Sequence, residues 1–198
     1  MSTLETNLIQ PSTGTTLQVG ASGDTITVPS GAPFNVAGTL QSGGSTLVTG
    51  KILQAVTAVD TTYRTSTSTS WVTASNTATV SITPSSTSSR IWVVCTCNMN
   101  CNDGDDAWVS TIYRGVTNIG NATHGLASGN SVPGVSGNHF PTTMTVLDSP
   151  STTSATTYQL YIKLLDLDAD GASINIGGTA AGSATPVPSH MTAFEVGP

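Results

Sequence analysis

Apolar residues follow two different patterns along this chain, and the patterns meet near residue 50. In the first stretch they come as short pulses: Leu17-Gln18-Val19, Ile26-Thr27-Val28 and Phe34-Asn35-Val36, then Thr39-Leu40. The first three pulses are apolar–polar–apolar triplets, the period-two signature of a strand. Turn residues separate them, Gly20-Ala21-Ser22-Gly23-Asp24 and Pro29-Ser30-Gly31-Ala32-Pro33. Rungs this small cannot bury an apolar face within one chain, whereas stacked rungs or three chains wound on one axis can. Residues 1–50 therefore predict a short-stranded, rung-like oligomerising and attachment segment. The other reading of the same stretch is a flexible arm that orders on docking. Gln41-Ser42-Gly43-Gly44-Ser45 predicts a hinge between the two patterns.

Beyond the hinge the apolar runs lengthen. Strands are expected over Lys51 to Val59, Tyr63 to Val72, Thr77 to Thr83, Arg90 to Asn98, Ala107 to Arg114, His139 to Leu147, Thr157 to Leu167, Ala172 to Ile176 and Met191 to Val196. Gly, Pro, Asn and Ser clusters bound most of them. No apolar period of 3.6 persists for ten residues among good helix formers. Residues 51–198 thus predict an all-β domain, a jelly-roll-like β-sandwich knob. One pattern recurs within it. Ile82-Thr83-Pro84-Ser85-Ser86-Thr87-Ser88-Ser89 leads into Arg90-Ile91-Trp92-Val93-Val94, and Leu147-Asp148-Ser149-Pro150-Ser151-Thr152-Thr153-Ser154 leads into Thr157-Tyr158-Gln159-Leu160-Tyr161-Ile162. Each is a strand end, a proline turn, a Ser/Thr loop and a strong strand. Proline presets φ and cannot donate to a ladder, so both fit links that cross at one end of a sandwich.

Composition narrows the function. Of 198 residues, 25 are Ser, 35 are Thr and 20 are Gly, while only 8% are charged. An ordinary soluble domain carries about 25% charged residues. A hydroxylated surface of this kind is usual in extracellular and virion proteins. The net charge is −6, and the five basic residues Lys51, Arg64, Arg90, Arg114 and Lys163 are scattered. No basic patch exists to neutralise phosphates, so nucleic acid is not an expected partner. The N-terminus shows no charged n-region with an apolar run, and no stretch approaches the ~20 apolar residues of a membrane span. Neither a secretion signal nor membrane insertion is expected. The three cysteines, Cys95, Cys97 and Cys101, make a poor disulfide framework and match no zinc spacing. They predict small packing residues.

Candidate chemistry is sparse. Asp166-Leu167-Asp168-Ala169-Asp170-Gly171 places carboxylates at alternate positions before a glycine, as in the first half of an EF-hand loop. The closing position holds Gly177 rather than a bidentate Glu. Two readings remain, a looser calcium loop with Asp166, Asp168 and Asp170 as metal ligands, or a solvated acidic turn. Asn102-Asp103-Gly104-Asp105-Asp106 is a second acidic turn, and a shared cation needs both at one end of the sandwich. His124, His139 and His190 stand far apart. No Gly-x-Ser-x-Gly elbow occurs, since Gly134-Val135-Ser136-Gly137 lacks the spacing. No catalytic residue is assigned, and an enzyme is not expected. Trp71, Trp92 and Trp108 are candidate sugar-stacking platforms. Trp92, between Ile91 and Val93, is expected in the core; Trp108, beside the acidic turn, is the best exposed candidate, with core or trimer interface as its first reading. The long Gly- and Asn-rich loop from Gly115 to Asn138 is the first place to expect receptor contact.

Met1-Ser2-Thr3-Leu4-Glu5-Thr6-Asn7-Leu8-Ile9-Gln10 and Gly23-Asp24-Thr25-Ile26-Thr27-Val28-Pro29-Ser30-Gly31-Ala32 resemble the opening of short virion proteins of tailed phages, the cyanophage and aquatic-phage type. Ile82-Thr83-Pro84-Ser85-Ser86-Thr87-Ser88 and Leu147-Asp148-Ser149-Pro150-Ser151 are similar to recurrent stretches in the distal domains of such tail-fibre or structural proteins. The resemblance covers both regions in patches. It implies a homotrimer in the virion, its N-terminus fixed to the particle through other virion proteins and its C-terminal knob β-rich. Host-surface glycan is a further candidate partner. A tail fibre or tail tip is the first expectation. A capsid-decorating or baseplate protein without a receptor is the second, and a glycan hydrolase the third.

Overall fold

The computed structural model describes residues 25, 27, 30–32, 41–42, 45–46, 52–73, 77–102, 106–130, 139–165, 173–177 and 186–197. The chain falls into two compact units, Met1–Val48 and Thr49–Pro198. In the first, β1 (Gln41–Ser42) pairs antiparallel with β2 (Ser45–Thr46). The stretch expected as a hinge therefore carries a small strand pair. Gly-Gly between two short strands is hairpin chemistry as much as linker chemistry. The pulses at 17–19 and 34–36 lie outside the described residues.

The second unit contains β3 (Ile52–Asp60), β4 (Arg64–Ser66), β5 (Thr79–Ile82), β6 (Arg90–Cys101), β7 (Ala107–Arg114), β8 (Thr117–Asn118), β9 (Ala127–Asn130), β10 (Phe140–Asp148), β11 (Thr156–Leu165), β12 (Ile174–Ile176) and β13 (Ser189–Val196). Each strand expected from the sequence is present, though Tyr63 to Val72 yields only β4 and a single bridge from Val72 to Ile162. No helix occurs among the described residues.

Eight of these strands have four residues or more: β3, β5, β6, β7, β9, β10, β11 and β13. In chain order the first pairs with the eighth, the second with the seventh, the third with the sixth and the fourth with the fifth. This nesting is one long antiparallel ribbon rolled on itself. Alternate segments of the ribbon fall into opposite sheets. One sheet runs β3-β13-β6-β10, extended beside β6 by β12 and β4; the other runs β5-β11-β7 with β8 and β9 on the free side of β7. This is the strand order of a jelly roll, a two-sheet antiparallel sandwich.

The rolled ribbon explains the sequence echo. The links β5→β6 and β10→β11 are the two edges of the ribbon where it turns from one sheet to the other. Ile82 pairs with Thr156 in one sheet and Asp148 with Ile91 in the other, so both proline loops lie at the same corner. Ser151 there has a φ of 53°, in the left-handed region, directly after Pro150.

The core lies between the sheets and follows period-two parity. β6 contributes Ile91, Val93, Cys95, Cys97 and Met99, β11 contributes Tyr158, Leu160, Ile162 and Leu164, and β13 contributes Met191 and Ala193, all buried. Cys95, Cys97 and Cys101 form no disulfide, lie on this inner face and act as small apolar packers. The hydrogen bond with Cys97 and then burial push the Cys95 thiol well above its ordinary pKa.

Candidate functional site

Charged side chains are few, so their placement is informative. Two of them clamp the proline corner. At the end of β10, Asp148 faces inward. Arg114 Nη1 from β7 donates to its Oδ1 at 2.8 Å and its Oδ2 at 2.9 Å, and the Tyr158 hydroxyl from β11 donates to Oδ2 at 2.7 Å. One carboxylate thus ties both sheets together. Burial, then the neighbouring Asp148 carboxylate, pushes the Tyr158 hydroxyl far above its ordinary pKa.

On the other ribbon edge Glu195 occupies an inward position of β13 and is fully buried. It accepts from Ser85 N at 2.7 Å, Ser85 Oγ at 2.6 Å and Gln54 Nε2 at 2.7 Å. Burial alone would raise its pKa. The hydrogen bonds, that of the Ser85 side chain foremost, outweigh burial and hold the carboxyl at about 2 against an ordinary 4.5. Its contribution is therefore complete above pH ~4.5 and is lost as the pH falls through about 2. Glu195→Gln should cost about 2 kcal/mol at neutral pH, because the charge-assisted bonds weaken and one oxygen becomes a donor. Urea titrations of the two proteins should differ at pH 7 and converge toward pH 2. A constant difference across that range would rule out this role.

The outer face of the β7 sheet is covered by its own chain. Val109 and Thr111 face outward and are nevertheless fully buried. Residues 115–130, the described part of the Gly115–Asn138 loop expected to make receptor contact, fold back as β8 and β9 against β7. Gly115, with a φ of 55°, takes the first position of the two-residue hairpin loop, which a type II′ turn reserves for glycine. Thr111 Oγ1 donates to Asn118 Oδ1 at 2.7 Å, and Trp71 Nε1 donates to the Ala122 carbonyl at 2.9 Å. Lys163 Nζ stands 5.1 Å from the centre of the Trp71 ring. Residues 131–138 lie outside the described residues. Of the expected binding loop, Val116 at the hairpin tip is 95% exposed.

Trp92 reverses the sequence expectation of a core position, whereas Trp108 takes the core position that was its first reading. Trp108 is 2% exposed, on the inner side of β7, with Gly129 of β9 against its ring. Trp92 is 40% exposed, on the outer face of β6. The run Ile91-Trp92-Val93-Val94 is apolar on both parities, so pattern alone cannot tell which side meets the core. Trp92 Nε1 donates to Thr145 Oγ1 at 2.7 Å, and its ring lies 5.3 Å from that of Phe194. The surrounding outer face of β3-β13-β6-β10 is threonine-rich, with Thr57 Oγ1 at 3.0 Å from Thr192 Oγ1.

Asp166, Asp168 and Asp170 lie outside the described residues, as do Asp103 and Asp105. The anchors of the two acidic turns are neighbours. Leu165 pairs with Ala107, and Asn102 exchanges hydrogen bonds with Ser173. Both turns therefore start from the same end of the sandwich. Among the described residues, no three of His, Cys, Asp and Glu gather to hold a metal. His124 and His190 are exposed and His139 is half-buried, in separate places. An open pocket of about 490 Å³ lies beside Asp60, Thr61, Thr62, Thr77, Thr79 and Gln159. Its one carboxylate, Asp60, already holds Arg64 at 2.9 Å and the Thr62 amide at 3.0 Å. Two-carboxylate glycoside hydrolysis needs a second acid, which this lining lacks.

No protein-family model matches the chain, and no curated protein matches it. Among the solved structures that it matches are particles of infectious bursal virus. Against the virus-derived T=1 particles the TM-score is 0.38 at 12% identity, covering 84% of this chain and 42% of that chain. Against the VP2 subviral particle of infectious bursal disease virus it is 0.36 at 16% identity, covering 84% and 43%. Against the structure of the Gx strain it is 0.34 at 16% identity, covering 84% and 42%. The chain spans less than half of the length of these proteins.

Proposed function

We propose that this chain is a structural protein of a virus particle, a homotrimeric tail fibre or tail tip that reaches the host surface. One observation carries the reading: among the described residues of the knob, the carboxylates of Asp60, Asp148 and Glu195 are spent on holding its shape. Asp60 is bound by Arg64, Asp148 by Arg114 and Tyr158, and Glu195 by Ser85 and Gln54. Such an interior makes a stiff body with a hydroxylated outside, suited to contact rather than to acid–base work. Residues 1–50 would supply trimerisation and the joint to other virion proteins, and the knob would meet host-surface glycan. A second reading, a capsid-decorating or baseplate protein, is favoured by the apolar stripe around Trp92, which suits packing against neighbouring subunits.

The test is location and competition. Immunogold labelling of the chain should mark the tail or its tip on intact particles. Saturating purified full-length chain should reduce the fraction of particles that adsorb to the host. Label on the head with adsorption unchanged would replace the first reading by the second.

A further inference from the structure

The outer face of the β6 sheet carries exposed apolar side chains. Leu53, Val59, Trp92 and Leu147 lie on it, and each is more than a third exposed. One row crosses β10, β6, β13 and β3 in register: Leu147, Trp92, Phe194, Ala55. The next row is Thr145, Val94, Thr192, Thr57. The outward residues of these four strands include no Asp or Glu. The chain as a whole carries −6. Acidic copies repel wherever carboxylates meet, so a self-contact belongs on a face without them.

We propose that this face packs against the same face of a second copy of the chain. The two-fold axis lies between the paired sheets, parallel to the strands, and passes between β6 and β13. That axis reverses the row. Leu147 then faces Ala55, and Trp92 faces Phe194. Large meets small at the edges and aromatic meets aromatic at the centre, as interdigitating sheet faces require. An axis running across the strands would set Leu147 on Leu147 and leave Ala55 facing Ala55, with bulk at one edge and a gap at the other. The Trp92 ring is already held by Thr145 and Phe194, so ordering it on contact costs little.

Size sets the strength. β6 and β13 pair over seven positions. Four strands about 4.8 Å apart and seven positions of about 3.3 Å make a patch of roughly 450 Å² per copy. A standard interface uses about 800 Å² per partner. The contact therefore suits copies that are already concentrated, as in a particle, and is weak in dilute solution.

The inference rests on the reading that the chain assembles with itself, and the experiment separates the two. Being two-fold, the contact joins copies of neighbouring trimers rather than the three chains of one. Full-length A55C and full-length L147C chains are mixed at high concentration and treated with a thiol cross-linker that spans about 10 Å, the spacing of packed sheets. Cys95, Cys97 and Cys101 are buried and do not compete. Cross-links from 55 to 147 should outnumber those from 147 to 147 several-fold. In parallel, Ala55→Leu and Leu147→Ala, both at exposed positions, should each raise the concentration needed for assembly in sedimentation, and the double variant should restore it. Unchanged melting midpoints confirm that the variants fold. If the chain assembles but the cross-links are 147 to 147, or the size swap has no effect, the face assignment is overturned and self-assembly stands. A chain that is monomeric at every concentration overturns both.

Discussion

Replacing Asp148 with alanine should lower the unfolding free energy by about 3 kcal/mol. Removing one member of a buried ion pair costs about 3–5 kcal/mol, because the partner is left uncompensated. The Asp148 side chain is 11% exposed and that of Arg114 is 31% exposed, so Arg114 recovers part of its hydration and the lower end applies. Tyr158 is fully buried and recovers none, so its hydroxyl stays unsatisfied. The clamp joins β10 of one sheet to β7 and β11 of the other, so the loss falls on the corner where the ribbon turns. Tyr158→Phe removes the donor and keeps the ion pair, and should cost only about 1 kcal/mol. Urea denaturation at neutral pH measures both through the midpoint at constant m. Equal costs for the two variants would mean that the hydroxyl, rather than the ion pair, carries the clamp.

The second large effect is expected at Gly125. Its φ is 65°, and a Cβ there would run into the Ser110 carbonyl and approach Cη2 of the Trp71 ring to 2.9 Å. The Ser110 carbonyl accepts the Leu126 amide at 2.8 Å and cannot move aside without losing that bond. Left-handed backbone costs an L-residue about 1–2 kcal/mol. Overpacking against fixed backbone adds about 1–3 kcal/mol. Gly125→Ala should therefore destabilise by about 3 kcal/mol or more. Gly115 is the internal control, with a φ of 55° and open space around its Cβ position. Gly115→Ala should show the conformational cost alone, about 1 kcal/mol. Thermal unfolding of the pair separates strain from clash. Trp71 borders Gly125, so the fluorescence of the folded Gly125→Ala protein should also change.

The long strands were legible because each buries one face against the other sheet. β11 alternates strictly, and the second half of β6 sets Thr96 and Asn98 between Cys95, Cys97 and Met99, so parity assigns Cys95, Cys97, Leu160 and Ile162 to the core. Glu195 was legible by the same rule. It shares parity with Met191 and Ala193, so an inward acid with obligatory partners could have been expected. Asp148, Arg114 and Tyr158 gave no such signal. They are far apart in the chain and meet only because the ribbon folds at the corner between them. β8 and β9 were also hidden, since Thr117–Asn118 and Ala127–Asn130 have little apolar content and are held by pairing to β7.

By itself the sequence determined an all-β chain, the boundaries of its long strands and the two proline links, because period-two alternation and turn chemistry are local properties. Only the tertiary structure decided the nested pairing, and with it the placing of the two proline links on one corner. It also decided that Trp92 looks outward while Trp108 is enclosed, and that residues 115–130 form a cover rather than an open loop. Those outcomes depend on what lies across the sheet from each residue. In strands apolar on both faces, local pattern carries no information about that.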